Sequence, residues 1–312
     1  MTFAVQPTCA RTQASGNNGI VFQGMPFNIG ADELARRMSR PFFSVITPAL
    51  NARAFLPRNI ASVCAQGLAP DEIEHWVIDG GSKDGTVEWL QSQPRLKFVS
   101  EKDCGLSEAV NKGIQRATGE WILWLNADDE LAPGAMATFK AAATRFPDAR
   151  VFCGAEEMRG YDGTVEEVLQ PWDYNLKELL GTRIAINQAA TWVHRSVYER
   201  VGLLDVSIRY AMDYEWTVRA MREFRCQPIP EVLAVYHRRP GSLMDAHMAA
   251  HYETFLRVRR KLGMGYFDRG EFAIRFYLLT EPLRRQRWLR SLVRQVKGFF
   301  GCAPAHPLPP RT

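Results

Sequence analysis

From residue 41 onward, short apolar runs alternate with segments of helical periodicity, and most of the runs stop abruptly at a polar cluster. Pro41 to Asn51 (PFFSVITPALN) reads as a strand ending in a proline-containing loop, and Arg53 to Ala65 as a helix. Glu74 to Ile78 is a second strand that closes on Asp79 to Thr86 (DGGSKDGT). Val87 to Gln93 is helical, and Leu96 to Ser100 is a short strand. Leu106 to Ala117 predicts a helix stopped by Gly119. Trp121 to Leu125 is apolar without interruption, as a strand covered on both faces should be. It breaks at Asn126, Ala127, Asp128 and Asp129. Strands alternating with helices at this spacing imply βαβ crossovers and a mostly parallel α/β sheet with its polar loops gathered at one edge.

Beyond Pro133 the alternation loosens. Gly134 to Arg145 predicts a helix, Arg150 to Met158 a strand, and Trp172 to Leu180 a loop with a short helix. Ala189 to His194 reads as a strand, Ser196 to Val201 and Asp213 to Glu223 as helices, and Glu231 to His237 as a strand running into RRPGS. Residues 1–40 form a polar lead-in with a short helix at 31–38, and residues 246–312 a separate basic tail.

Composition narrows the class. A hydrophobic content of 46% with 23% charged residues is that of a soluble globular chain of 312 residues, and no apolar run is long enough to span a bilayer. The first residues lack the charged and apolar regions of a secretion signal. Six scattered cysteines without a CxxC pair argue for free thiols in a reducing compartment such as the cytoplasm, and against a zinc site. The net charge of +5 is uneven: residues 251–312 carry +9 and the rest −4. There is neither a G-x-G-x-x-G opening a helix nor a P-loop, which removes two common nucleotide fingerprints.

The candidate chemistry sits where the strands end. Adjacent carboxylates repel, so Asp128 and Asp129 either hold a cation or donors, or form a solvated turn with Asp129 capping the next helix. Asp79 reads as a hydrogen-bond acceptor for a base or ribose, beside a glycine pair that permits close backbone approach. For Ser82 and Asp84, helix capping is the simpler reading. Asp103 lies at a strand end. Glu108, Asn111 and Lys112 share one helix face, opposite the apolar stripe of Leu106, Val110 and Ile114. Asp213 opens a helix after an aromatic stretch, placed either as a dipole partner or as a general base. His237, Arg238 and Arg239 end a strand. The imidazole there is a metal ligand or a structural group, and the guanidinium groups suit a diphosphate.

Taken in order, SVITPALN, DGGSKDGT, EKDCGLSEAVNKGI, GEWILWLNADD, NQAATW, GLLD, MDYEW and YHRRPGS resemble glycosyltransferase family 2, the inverting enzymes of the GT-A fold. The resemblance covers roughly Pro41 to Met244. It implies a nucleotide-sugar donor, UDP-linked as the family's commonest case, lying across the strand ends. Pro48, Asp79 and Asp103 would lie near the nucleoside, with Ala49, Asn51, Glu108, Lys112, Asn126 and Ala127 also at donor-binding positions. The family's D-x-D falls on Asn126-Ala127-Asp128, where Asn126 replaces the first acid. Asp128 would then carry most of the binding of Mn2+ or Mg2+, with His237 as a second ligand. Asp213 matches the catalytic base, with Glu215 two residues on as its competitor, and Arg238 and Arg239 would help hold the diphosphate.

The tail adds a second expectation. Trp288, Leu289, Leu292, Val293, Val296, Phe299 and Phe300 recur at helical spacing, with Arg287, Arg290, Arg294 and Lys297 on another face. Such a helix lies on an anionic membrane surface, on the inner face of the membrane for a cytoplasmic protein, or packs on the catalytic domain. The partners expected are therefore a nucleotide-sugar donor and a glycan or lipid-linked acceptor, with no nucleic acid. Two rival classes share the sheet: a sugar-phosphate nucleotidyltransferase, which would carry a Gly-rich basic loop where this chain has TPALNAR, and a non-catalytic nucleotide-sugar-binding module.

Overall fold

The computed structural model describes residues 40–94, 96–160, 162–171, 187–239, 248–263, 271 and 275. The helices expected at 31–38, near 172–180 and at 288–300 lie outside the described residues, as do residues 240–247 at the end of the YHRRPGS segment.

Strand β1 (Phe43–Ala49) is buried at all seven positions. It has a parallel neighbour on each side, β2 (Ile73–Asp79) and β4 (Trp121–Trp124), and β2 in turn pairs in parallel with β3 (Lys97–Ser100). A strand walled in this way needs apolar side chains on both faces, which is why FSVITPA reads as a continuous run. Its side chains divide at period two: Phe43 and Val45 join one core cluster and Ile46 the other. The crossovers are helices α1 (Leu56–Cys64), α2 (Thr86–Gln91) and α3 (Leu106–Arg116).

The remaining strands complete one nine-stranded sheet of order β3-β2-β1-β4-β8-β6-β9-β5, with β7 paired on β6. Strand β8 (Thr191–His194) runs antiparallel between β4 and β6 (Val151–Arg159). Strand β6 runs parallel to the long β9 (Cys226–His237). Short β5 (Glu130–Leu131) and edge strand β7 (Val165–Leu169) are antiparallel to β9 and β6. Reversing β8 keeps β1 to β4, β6 and β9 all pointing the same way. Their carboxyl ends therefore open on one edge of the sheet, and the amino end of β8 joins them there.

Helices cover both faces. On one, Phe139 from α4 (Ala135–Arg145) stacks on Trp192 at 4.6 Å and meets Phe43, Trp121 and Phe152 edge-on. On the other, α3 packs with α5 (Arg195–Val201), α6 (Met212–Met221) and α7 (Met248–Lys261). Gly119 sets the depth at which β4 begins, because a Cβ there would stand 2.8 Å from backbone atoms of Phe43 and Ser44. Beside it, Glu74 staples the far end of the sheet. Its buried carboxylate accepts from Ser44 Oγ at 2.6 Å, the Thr118 backbone N–H at 2.6 Å and Lys97 Nζ at 2.8 Å. Burial opposes its charge, but Lys97, Ser44 and Thr118 outweigh that and hold its pKa down at about 2.

Candidate active site

The first two loops at the carboxyl edge are locked to each other. Asn51 turns the chain after β1 at φ 49°, its N–H donating to Ser82 Oγ (2.7 Å) and its Oδ1 accepting from the Lys83 N–H (2.9 Å). Asp79 is wholly buried. Its two oxygens accept from the N–H groups of Gly81 (3.0 Å) and Ser82 (3.1 Å), from Ser100 Oγ (2.7 Å) and from Ser82 Oγ. The side chain read from sequence as an acceptor for a base or ribose also shapes the loop. Asp84 likewise accepts from the N–H groups of Arg53 and Thr86 and so latches the two loops, while the N-cap of α2 is Gly85. Gly80 is small for a reason: a Cβ would come within 2.6 Å of Asp103 Oδ2. Asp103 therefore stands directly behind the glycine pair, half-buried, and burial raises its pKa. Lys112 is engaged by Glu108 (3.0 Å) and Glu101 (3.3 Å), and Glu108 accepts from the Cys104 N–H, so this pair braces the Asp103 loop. Pro48 and Ala49 lie in register with Ile78 and Asp79, under the same loops.

At the end of β4 the two acids part company. Asp128 turns outward to pair with Arg239, whose guanidinium lies 4.8 Å over the Phe55 ring. Asp129 turns inward, is fully buried, and accepts from the His237 N–H (3.2 Å) and Asn126 Nδ2 (3.1 Å). Burial, then the charges of Asp128 and Glu156, push its pKa well above the carboxylate range. Asn126 is fully used: Oδ1 accepts from Trp124 Nε1 (2.8 Å), and Nδ2 donates to Asp129 and to Gln188 Oε1 (3.1 Å). An aspartate there would lose both donations and face Asp129 as a second acid. His237 Nε2 meets Glu130 Oε1 at 2.5 Å, and burial together with Arg58 lowers its pKa. The two side chains expected as metal ligands hold separate partners. Among the described residues, no group of three or more His, Cys, Asp or Glu side chains could hold a metal ion. Arg238 is buried and tied to Glu166 at 2.9 Å, while Arg239 stays half-exposed beside Asp128.

On the other side of the opening, Ala211 leads into α6 at φ 57°, a left-handed turn that costs a residue with a Cβ about 1–2 kcal/mol. The turn sets Asp213 in the first turn of α6, partly exposed. A narrow, open cleft with about 30 Å³ of solvent-accessible space is lined by Trp124, Gln188, Thr191, Tyr198, Asp213 and Trp216. Glu215 points elsewhere: it is buried and clamped by Arg219, which also donates to the carbonyls of Val201 and Leu203. Two groups were not singled out in the sequence: Gln188, which lines the cleft, and the buried Glu156. Gln188 bridges the end of β4, donating to the Trp124 carbonyl at 2.5 Å while accepting from Asn126. Glu156 is buried on β6, where the N–H groups of Ala189 and Ala190 donate to it and its Oε2 finds no hydrogen-bond partner. Burial, with a smaller push from Asp213, raises its pKa to about 8. An acid directly after the apolar run VFCGA, within the same strand, is the signal that would have found it.

A family model for glycosyl transferase family 2 matches residues 44–201, half of the chain. The chain belongs to that family. An uncharacterized glycosyltransferase of Mycobacterium tuberculosis is 31% identical over 196 residues, covering 61% of this chain and 72% of that protein. A PGL/p-HBAD biosynthesis glycosyltransferase of Mycobacterium bovis is 28% identical over 192 residues, covering 58% and 70%. Staphylococcus aureus TarS, solved in complex with UDP-GlcNAc, shares the fold at TM-score 0.56 and 17% identity, over 76% of this chain and 70% of that one. The Pyrobaculum calidifontis mannosyltransferase PcManGT, solved with GDP-Man and Mn2+, does so at TM-score 0.51 and 20% identity, over 77% and 70%. The protein is a glycosyltransferase of GT-A-like architecture, its sheet parallel through the first four strands and mixed thereafter. Among the described residues, no helix is long and apolar enough to cross a membrane.

Proposed function

We propose that this glycosyltransferase moves a sugar from a nucleotide-sugar donor, UDP-linked in the first instance, to a hydroxyl of a glycan or lipid-linked acceptor with inversion at the anomeric carbon. The observation that carries the reading is the cleft bounded on one side by Trp124 and Gln188 and on the other by Asp213, with the competing acid Glu215 tied away by Arg219. The donor lies over the edge formed by Asn51, Gly80, Asp103 and Asn126, its nucleoside against Asp103 and its diphosphate toward Asp128 and Arg239. Relatives of the same fold were solved with UDP-GlcNAc and with GDP-Man, which supports a nucleotide sugar as ligand.

Asp213 takes the proton of the acceptor hydroxyl. The oxygen forms its bond to the anomeric carbon while the bond from that carbon to the diphosphate breaks, and the leaving nucleoside diphosphate keeps the electron pair. Arg239 exchanges Asp128 for the diphosphate as negative charge builds there. A divalent cation at this edge requires Asp128 and His237 to release Arg239 and Glu130. Mg2+ and Mn2+ accept one or two protein ligands when substrate phosphates complete the shell, and Asp128 and His237 are the residues that would supply them. When bound, the ion would supply positive charge against the leaving diphosphate.

Calorimetric titration of UDP with Mn2+ and with EDTA, on wild type and Asp128→Ala, tests the donor site. Binding that needs Mn2+ and disappears in the variant supports it. Equal binding in EDTA would remove Asp128 as a metal ligand, and no binding of UDP, GDP or dTDP would remove the donor assignment. A donor screen with Asp213→Asn as the inactive control then tests transfer.

A further inference from the structure

The turn that carries Asp128 is gripped by a polar stripe on α1. The turn closes on itself, the Asp129 N–H donating to the Asn126 carbonyl at 3.0 Å. Asn59, 1% exposed on the buried face of α1, straddles it. Its Nδ2 gives one hydrogen to the Asn126 carbonyl (2.9 Å) and the other to the Asp129 carbonyl (3.0 Å). Thr47 Oγ1 on β1 donates to Asn59 Oδ1 at 3.4 Å, so the amide cannot turn over without setting its oxygen against two carbonyls. From the outer side, Arg58 Nη2 donates to the Asp128 carbonyl at 3.2 Å. The stripe continues three and seven residues on. Ser62 Oγ accepts from the Leu131 N–H (3.0 Å), and Gln66 donates to the Ala132 carbonyl (3.0 Å). Gln66 Oε1 also accepts from the Met136 N–H (3.2 Å), one of the orphan donors at the start of α4, whose N-cap Gly134 has no side chain to offer. Ser62 and Gln66 thus hold backbone beyond the turn, and Asn59 holds the turn itself.

We propose that Asn59 is a positioning residue for Asp128: by fixing both ends of the turn, it sets which of two adjacent acids faces the donor. This rests on the reading of Asp128 as a donor-site residue. Asp128 and Asp129 are chemically alike, yet one turns outward to Arg239 and the other inward to the His237 N–H. Their directions follow from the orientation of the peptide groups between them, and those are the groups whose carbonyls Asn59 and Arg58 hold. A turn free to rotate its peptides would offer the donor a mixture of the two acids. Anchoring the grip on α1, which is seated in the core by Leu56, Ile60 and Val63, places the site on a rigid element instead of a loop. Groups that orient a ligating side chain without touching the ligand typically contribute about 10–100-fold in affinity.

Amide hydrogen exchange on the full chain, without ligand, compares Asn59→Ala with Gln66→Ala. In Asn59→Ala the Asp129 N–H should exchange at least roughly tenfold faster while the Met136 N–H changes little, and Gln66→Ala should show the reverse. Equal acceleration of both amides in Asn59→Ala would make the residue a general support of the fold, and an unchanged Asp129 amide would remove it from the turn; either overturns the proposal. Calorimetric titration of UDP with Mn2+ supplies the second arm. Asn59→Ala should weaken binding roughly 10–100-fold, whereas Gln66→Ala should bind within about twofold of wild type whatever its urea midpoint. Asn59→Ser, which keeps one donor, should fall between the two and carries the same comparison if Asn59→Ala does not fold. Wild-type affinity in Asn59→Ala, where Asp128→Ala has lost binding, refutes the positioning role. If Asp128→Ala itself binds UDP as wild type does, the donor reading of Asp128 fails on its own, and exchange at Asp129 still decides whether Asn59 sets the turn.

Discussion

Two buried glutamates, Glu74 on β2 and Glu156 on β6, sit at comparable depth and end up with opposite charge preferences. Glu74, in the parallel half of the sheet, is surrounded by Lys97, Ser44 and the start of β4, and its pKa falls to about 2. Glu156, in the mixed half, has two backbone N–H groups on its carboxyl and an orphaned Oε2, and its pKa rises to about 8. Asp79 and Asp129 repeat the contrast at the two ends of the binding edge: Asp79 is fully satisfied by its loop, whereas Asp129 is buried beside Asp128 and Glu156. A buried acid with enough donors is structural. A buried acid left short of donors stores electrostatic free energy, and here two such acids, Asp129 and Glu156, act on each other.

The comparison can be broken in four places. Asp213→Asn should reduce transfer by about 10²–10⁴-fold while leaving UDP binding by calorimetry unchanged; loss of binding would mean that Asp213 serves the donor instead. Glu74→Ala should cost about 3 kcal/mol, read as a lowered urea midpoint at constant slope, because it orphans the Thr118 N–H and leaves Lys97 without its partner. A cost under about 1 kcal/mol would show that the staple is dispensable.

Glu156→Gln sharpens the other side. The unfolded chain sheds this proton near the ordinary value of 4.5 and the folded chain near 8, so the stability that Glu156 gives at low pH is lost as pH rises through that window. Thermal melts should show the variant gaining on wild type by about 4 kcal/mol between pH 5 and 9. A constant gap across that range would mean that Glu156 is ionised in the fold. The smallest effect is expected from Asn126→Asp. Losing two donations and adding an acid beside Asp129 should cost about 1–2 kcal/mol at pH 8 and less at pH 5. Equal melting at both values would show that Asp129 does not feel position 126.

Much of the architecture was legible because β1 and β4 are buried at every position, and β2 at five of its seven, so these strands are mostly apolar. Strand β7, VEEVL, was not, since it is an exposed edge whose pattern no core enforces. Neither was β5, whose two residues carry no period, nor α7, whose contacts with α6 join distant parts of the chain. Within the site, Asp213 was placed by motif, and the structure sets it on the cleft. The use of Asp79 by its own loop could not be read locally, because one partner, Ser100, comes from the next strand. Nor could the threefold bonding of Asn126, whose partner Gln188 is 62 residues away. Sequence reports residue type at each position; donor supply depends on what the fold delivers there.

The reversed strand β8 also has a consequence in folding time. Strand β1 meets β2 across about thirty residues, Phe43 opposite Ile73, whereas Glu130 of β5 meets Val235 of β9 across about a hundred. Loop-closure entropy favours the nearer pairing first. The hypothesis is that the parallel half is a platform formed early and that the cleft is the last part of the molecule to exist. Pulse-labelled amide exchange should then protect Val45 before Val235; the reverse order would refute it.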